Sequence, residues 1–98
     1  MEVVKNINGT ELKVSVSGRV DTTTAPQLDA EVKASIEGMT VLEFDMSGLE
    51  YISSAGLRVL LASQKTMNKQ GSMVVKNVSE DIMEIFEVTG FDSILDIQ

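Results

Sequence analysis

Two adjacent serines, Ser53 and Ser54, stand in the stretch YISSAGLRVLL (residues 51–61), between a segment typical of a strand and one typical of a helix. A hydroxyl at the start of a helix can accept a hydrogen bond from a free backbone N–H, which stabilises the helix by about 0.5–2 kcal/mol relative to alanine. Only one serine can occupy that capping position. The other has small neighbours, Ala55 and Gly56, so its hydroxyl is a candidate for chemistry.

Hydrolysis is one chemistry that such a serine could perform, because serine hydrolases place their nucleophile at a turn from a strand to a helix. The chain contains no histidine and no cysteine, so the usual Ser-His-Asp arrangement cannot be assembled. A Ser-Lys pair would need a desolvated lysine, and the sequence does not identify one. We therefore expect a protein that is not an enzyme, and a small serine hydrolase is kept as an alternative.

Metal and cofactor sites are not predicted either. Asp45 ends a predicted strand, but a metal-dependent phospho-acceptor also needs an acidic pair at the end of the first strand, where this chain has Lys5, Asn6 and Asn8. We interpret residues 45–48 as a polar turn. Glu80 and Asp81 fit the first turn of a helix, where acidic side chains complement the helix dipole. The glycine patterns that bind nucleotide phosphates are absent. We expect no cofactor.

Length and charge narrow the class further. The 98 residues predict a single domain, residues 1–98, with an ordinary apolar fraction of 43%. The formal net charge of −7 disfavours nucleic acid and anionic membrane as partners, since both attract clustered lysine and arginine. The N-terminus lacks the layout of a signal peptide, and no apolar run is long enough to span a membrane. We expect a cytoplasmic protein.

Turn residues divide the chain into alternating elements. Asn8-Gly9 predicts a type I′ hairpin between two strands. A helix of about 12 residues follows Thr22, Thr23 and Thr24, which offer capping hydroxyls, and ends at Gly38. The remaining elements are a strand that stops at Asp45, a helix from Ser53 to about Lys69, a strand SMVVKNV, a helix from Ser79 to Gly90, and a last strand SILDI.

The predicted order is therefore ββαβαβαβ, which indicates an α/β fold. Strands that alternate with helices form largely parallel sheets, and the hairpin makes this sheet mixed, with the helices packed on it. Functional groups in such sheets tend to lie beyond the carboxyl ends of the strands. Asp21, Asp45 and the Ser53–Ser54 pair all fall at predicted strand ends.

A serine at a helix start is also suited to regulated phosphorylation. A phosphate adds about −1.5 to −2 charges at neutral pH, and free amides of the first turn can accommodate its oxygens. A partner docked over that turn would instead be repelled. A loss of about 3 kcal/mol is more than a hundredfold in affinity, which is enough for a switch.

The segment LEFDMSGLEYISSAGLRVLLASQK resembles the central motif of STAS domains, specifically of the single-domain anti-sigma factor antagonists of bacteria. VSGRVDTTTAP resembles their turn before the first helix, and IFEVTGFDSILDI resembles their C-terminal helix, glycine and last strand. The resemblance covers Val3 to Ile97 in one register.

The resemblance implies a binding protein, a monomer when free, that in its unphosphorylated form binds an anti-sigma factor with serine kinase activity and so releases a sigma factor. Phosphorylation would break that complex and a PP2C-type phosphatase would restore it. The family's acceptor lies two residues before the motif glycine, which here is Ser54. Ser53 stands where the family often has aspartate, so it remains an alternative acceptor or the helix cap, and Ala55 replaces a second hydroxyl.

The partner-binding surface implied by the resemblance surrounds this serine. Its members are Asp21, Thr22, Thr23, Ser53, Ser54, Ala55, Gly56 and Arg58. Gly56 would permit close approach of the kinase, and Asp21 could equally be a capping carboxylate. The competing hypothesis is a STAS-like subunit that binds constitutively in another assembly, such as a lipid-transport complex, and is never phosphorylated.

Overall fold

The computed structural model describes residues 1–98 and opens with the expected hairpin. Strand β1 (Glu2–Asn8) pairs antiparallel with β2 (Glu11–Val20). The two residues of the turn are Gly9 and Thr10 rather than Asn8 and Gly9, and only Gly9 has a positive φ, of 62°. The predicted type I′ turn is therefore wrong. A glycine at the first central position is the requirement of a type II′ turn, which connects hairpin strands equally well.

The third strand is longer than the sequence predicted. Helix α1 (Ala25–Ile36) leads into β3 (Val41–Ile52), which pairs in parallel with β2 and continues past Asp45. The pairing shifts after Ser15–Asp45 and resumes at Ser17–Gly48, so the residues interpreted as a turn form a bulge within the strand. A Cβ on Gly48 would lie 2.7 Å from Cβ of Ser17, and this close approach accounts for the glycine.

The last strand is reduced to a single bridge. After helix α2 (Ser54–Gln70), β4 (Ser72–Lys76) and helix α3 (Glu80–Thr89), residues Phe91–Ser93 form a 3-10 turn. The turn takes Ser93 from the segment predicted as a strand, and the backbone N–H groups of the next two residues, Ile94 and Leu95, donate back to the carbonyl of Phe91. Only the bridge between Val75 and Ile97 remains.

One sheet supports the molecule, mixed and mostly parallel as predicted, and its four strands lie in the order β1-β2-β3-β4. Side chains of β2 and β3 alternate between two faces, and the inward residues join the three helices in one core of 22 buried residues. The opposite face is polar, with Glu43 bound by Lys13 and Lys76 at 3.6 and 3.1 Å. None of the helices is long and apolar enough to cross a membrane.

The burial of helix α3 against the core can be tested by its effect on stability. Phe86 is fully buried, whereas Val88 on the same helix is 81% exposed. Phe86→Ala should lower the free energy of unfolding by about 3–5 kcal/mol because it removes apolar contacts and leaves a cavity. Val88→Ala, the matched control, should change it by less than about 0.5 kcal/mol. Urea denaturation measures both, and equal losses for the two variants would contradict this packing of α3.

Candidate functional site

The carboxyl ends of β2 and β3 meet at the candidate site. Val20 pairs with Ile52 at the last register position, and the backbone N–H of Ser53 donates to the carbonyl of Val20 at 2.8 Å. The loop that begins at Asp21 and the turn that carries Ser54 therefore leave the sheet side by side. The expectation that these two turns share one end of the sheet is confirmed.

The two serines have different roles at the start of α2. Ser53 is the N-cap, with extended backbone (φ −89°, ψ 175°), and its Oγ accepts a hydrogen bond from the N–H of Gly56 at 3.4 Å. Ser54 is the first helical residue and is exposed. No hydrogen bond engages its hydroxyl. The geometry thus uses Ser53 for capping and leaves the Ser54 hydroxyl open to solvent.

Gly56 does not have the surface position that partner approach would require. It is buried, and a Cβ at this position would lie 2.7 Å from both Val20 Cγ1 and Ile52 Cγ1. The missing side chain therefore allows α2 to pack closely on the ends of β2 and β3. The role assigned to Gly56 from the sequence is corrected: the glycine allows α2 to pack on the sheet and does not serve the approach of the kinase.

Asp21 organises the loop before α1. Its Oδ1 accepts hydrogen bonds from the hydroxyl and N–H of Thr23, at 2.7 and 3.0 Å, and from the N–H of Thr24 at 3.1 Å. The Thr23 hydroxyl and then the Thr24 N–H lower the pKa of the Asp21 carboxyl below its ordinary value of 3.8. Asp21 thus holds the loop before α1 through its carboxylate, although the N-cap position itself belongs to Thr24.

The threonines do not cap α1 with their hydroxyls, contrary to the sequence prediction. Thr24 holds the N-cap position without a side-chain capping bond. Its Oγ1 instead accepts from the N–H of Asp21 at 2.8 Å and donates to the carbonyl of Arg19 at 3.0 Å. Thr22 and Thr23 are both exposed, and Thr22 is the one whose side chain is not hydrogen-bonded to Asp21.

A shallow groove of about 340 Å³ runs between the first turns of α1 and α2. It contains three residues of the predicted surface, Thr22, Ala55 and Arg58. Sequence reasoning missed its other lining residues, which are Ala25, Pro26, Asp29 and Val59. The signal was present in the helical spacing, because Val59 lies four residues after Ala55 and Asp29 lies four after Ala25.

Arg58 is exposed on this groove and takes part in no ion pair. The neighbouring cation, Arg19, is already engaged, since its guanidinium lies 4.5 Å from the centre of the Tyr51 ring. Stacking of this kind stabilises by about 0.5–1 kcal/mol at exposed sites. Arg58 is therefore the one cation that lines the groove, and its charge is available to another molecule.

Asp45 lies away from these residues. Because β3 continues to Ile52, seven residues of strand lie between Asp45 and Ser53, roughly 20–25 Å of extended chain. Its Oδ1 accepts hydrogen bonds from the Asn77 amide and the Ser47 N–H, each at 3.0 Å, and these two donors lower the pKa of the carboxyl. The expectation that Asp45 approaches the site is wrong, and its role is to hold the bulge of β3.

The cap assignment predicts unequal effects of removing the two hydroxyls. Ser53→Ala should destabilise the protein by about 0.5–1 kcal/mol, the lower part of the range for caps, because its hydrogen bond is long. Ser54→Ala, the control one residue away, should stay within about 0.5 kcal/mol of the wild type. Urea denaturation measures the free energy of unfolding of both variants. A larger loss for Ser54→Ala than for Ser53→Ala would show that Ser54 is the cap.

The depressed pKa of Asp21 predicts a pH-dependent contribution to stability. Because the folded-state pKa is the lower one, the ionised carboxylate stabilises the fold above the unfolded value of about 3.8, and this contribution is lost as pH falls through the folded pKa. Asp21→Asn keeps an acceptor oxygen but removes the charge. It should unfold more easily than the wild type near neutral pH, and the difference should shrink in acid.

The measurement is urea denaturation of both proteins across this pH range. Glu2→Gln is the control, since Glu2 is exposed on β1 and forms no ion pair. It should track the wild type at every pH. A destabilisation by Asp21→Asn that is constant with pH would show that the charge is not what matters.

Comparison with known proteins places this geometry in a family. The anti-sigma-B factor antagonist of Bacillus subtilis is 31% identical over 91 residues, which cover 92% of this chain and 84% of that protein. A crystal structure of an anti-sigma factor antagonist from Mycobacterium paratuberculosis superposes with a TM-score of 0.88 at 26% identity, covering 98% of this chain and 83% of the other.

The fold also matches SpoIIAA, a Bacillus cell fate determinant solved in its phosphorylated form, with a TM-score of 0.77 at 15% identity, over 99% of this chain and 91% of SpoIIAA. The family model described as "Mlab, STAS domain" matches residues 3–96, nearly the whole chain. With this sheet, these helices and a serine turn between β3 and α2, the chain belongs to the STAS domain family.

Proposed function

We propose that this protein is an anti-sigma factor antagonist switched by phosphorylation of Ser54. Unphosphorylated, it binds an anti-sigma factor that is also a serine kinase, and the sigma factor is released. The observation that carries the proposal is that the two serines at the start of α2 differ: Ser53 caps the helix, whereas the Ser54 hydroxyl is exposed and forms no hydrogen bond.

The start of α2 can accept a phosphate without unfolding. The first turn of α2 contains no acidic residue, so no carboxylate opposes the new charge there. The first amides of a helix lack intrahelical acceptors and attract anions together with the helix dipole. The N–H of Gly56 is bonded to the Ser53 hydroxyl. The capping bond therefore does not involve the Ser54 hydroxyl, which stays free to receive the phosphate.

A docked partner would respond differently from the fold. The groove beside Ser54 is lined by Ala55, Val59 and Pro26, and Arg58 supplies its positive charge. Its acidic residue, Asp29, is paired with Lys33. A partner that covers these residues would bury the phosphate against apolar groups and lose contact with solvent, which is costly for a dianion. The phosphate would also compete with an acidic partner group for Arg58.

The comparisons support the same reading. The Bacillus subtilis relative is named for antagonism of an anti-sigma factor, and SpoIIAA has been solved with its phosphate. By analogy with that family, a PP2C-type phosphatase would reverse the modification in the cytoplasm, and the free protein would be monomeric. The whole role is one of binding, without catalysis by this chain.

The experiment that tests the switch compares two aspartate variants one residue apart. Ser54→Asp should weaken binding to the cognate anti-sigma factor, found among the genomic neighbours, at least about tenfold, since the charge enters the interface. Ser53→Asp is the control with the same charge, and it should bind like the wild type because aspartate is an equally good cap. Calorimetric titration gives both affinities.

Mass mapping of the protein from its own cells supplies the second readout. Phosphate on Ser54 whose occupancy changes between growth and stress is the expected result. Phosphate on Ser53 would keep the switch but move the acceptor. Unchanged affinity of Ser54→Asp would refute the switch.

A constitutive subunit of another assembly is the competing function. The observation that favours it is Ser53, which stands in the motif where the antagonists often carry aspartate. In that case the protein would be unmodified under every condition, and its genomic neighbours would encode a transporter rather than a serine kinase.

A further inference from the structure

The negative charge of the protein is concentrated at one end of the chain. Residues 77–98 contain six acidic side chains and no basic one, and they account for nearly all of the formal net charge of −7. Four of the six are on α3: Glu80, Asp81, Glu84 and Glu87. None of these four takes part in an ion pair, whereas Glu43 on the sheet is bound by two lysines.

The helix dipole explains only part of this charge. Glu80 and Asp81 lie in the first turn, where acidic residues are favourable. Glu87 lies near the carboxyl end of α3, where a negative charge is unfavourable, and no basic residue is present in the last turn. Glu87 therefore does not stabilise the helix.

An apolar stripe of two residues, Ile85 and Val88, lies among these charges on the outer side of α3, and Ile85 also packs in part against the core. The inner side is occupied by Ile82 and Phe86, which are fully buried. A shallow groove of about 260 Å³ follows the outer side, and it is lined by Asp81, Glu84, Ile85, Val88 and Thr89. These positions have the spacing i, i+3, i+4, i+7 and i+8 of one continuous helix face.

Val88 is the exposed apolar residue of that face. It is 81% exposed, more than any other large hydrophobic residue of the chain. This groove lies on α3, whereas Ser54 lies on α2. Helix α3 packs on β3 and on the 3-10 turn at residues Phe91–Ser93. The groove between α1 and α2 contains no residue of α3.

We propose that this face of α3 is a second docking surface, for an amphipathic helical segment of a partner protein. The segment would place an aliphatic side chain against Val88 and Ile85, with lysine or arginine residues on either side. The acidic rim fits such a segment by charge, and an apolar stripe at helical spacing is what a second helix packs against. The same rim repels nucleic acid. This surface acts independently of the phosphorylation switch.

The test uses the full-length protein and a defined probe, an amidated leucine-lysine peptide of about five helical turns with its leucines on one face. Amide chemical shifts of labelled protein should change along α3 and not at the start of α2. Val88→Asp should weaken binding at least about fivefold, although it adds an attractive negative charge. This variant separates docking on the groove from simple charge attraction.

Charge-matched variants complete the test. Glu84→Lys should weaken binding, while Glu37→Lys, which changes the net charge equally at an exposed residue after α1, should bind within about twofold of the wild type. Both variants should retain the urea midpoint of the wild type. Tighter binding by Val88→Asp, equal losses for the two lysine variants, or shifts at α2 would overturn the proposal in favour of non-specific attraction or the other site.

A second copy of the chain is the remaining occupant to be tested. Sedimentation equilibrium without peptide should show no self-association that depends on Val88. Association of the wild type that Val88→Asp abolishes would replace the partner segment with a second copy and overturn the proposal.

Discussion

The packing of Gly56 on Val20 and Ile52 is the contact on which the rest of the site depends. A side chain at residue 56 would overlap both aliphatic neighbours, so glycine alone lets α2 begin directly above the ends of two strands. The Ser53 N–H is then within 2.8 Å of the Val20 carbonyl. That hydrogen bond ties the start of the helix to the strand that leads into the Asp21 loop.

The positions of the hydroxyls follow from this contact. With α2 fixed against the sheet, the residue that precedes the helix must turn its side chain back to the first amides, and the next residue must point outward. Ser53 and Ser54 take these two positions. Asp21 holds the adjacent loop through Thr23 and Thr24, so both edges of the groove are built by hydrogen bonds between residues close in sequence.

Sequence reasoning predicted the sheet and the helices because their signals are periodic. The alternation from Leu12 to Val16 and the spacing of Ile82 and Phe86 each correspond to a buried face. The predicted turn at residues 45–48 failed because a bulge has the same composition as a turn, with polar residues and a glycine, and only the partner strand distinguishes the two. The prediction of the last strand failed because the N–H groups of Ile94 and Leu95 bond back to Phe91 rather than to a neighbouring strand.

For the site, chain neighbours were easier to predict than neighbours in space. The cap, the exposed serine and the loop carboxylate all lie within the motifs that the sequence displays. Gly56 was misread because the direction in which a glycine lacks a side chain, toward the core or toward solvent, depends on the packing of the helix. Pro26 and Val59 were missed because the groove exists only when two helices come together.

The single bridge at the carboxyl end has a consequence for contacts between molecules. The N–H of Val75 donates to the carbonyl of Asp96, and the N–H of Gln98 donates to the carbonyl of Val75, each at 2.8 Å. These bonds occupy outward backbone groups of β4, which would otherwise be a template for pairing with another chain. Residues 96–98 thus cover this margin of the sheet at Val75, whereas β1 lies at the other margin without such a cover.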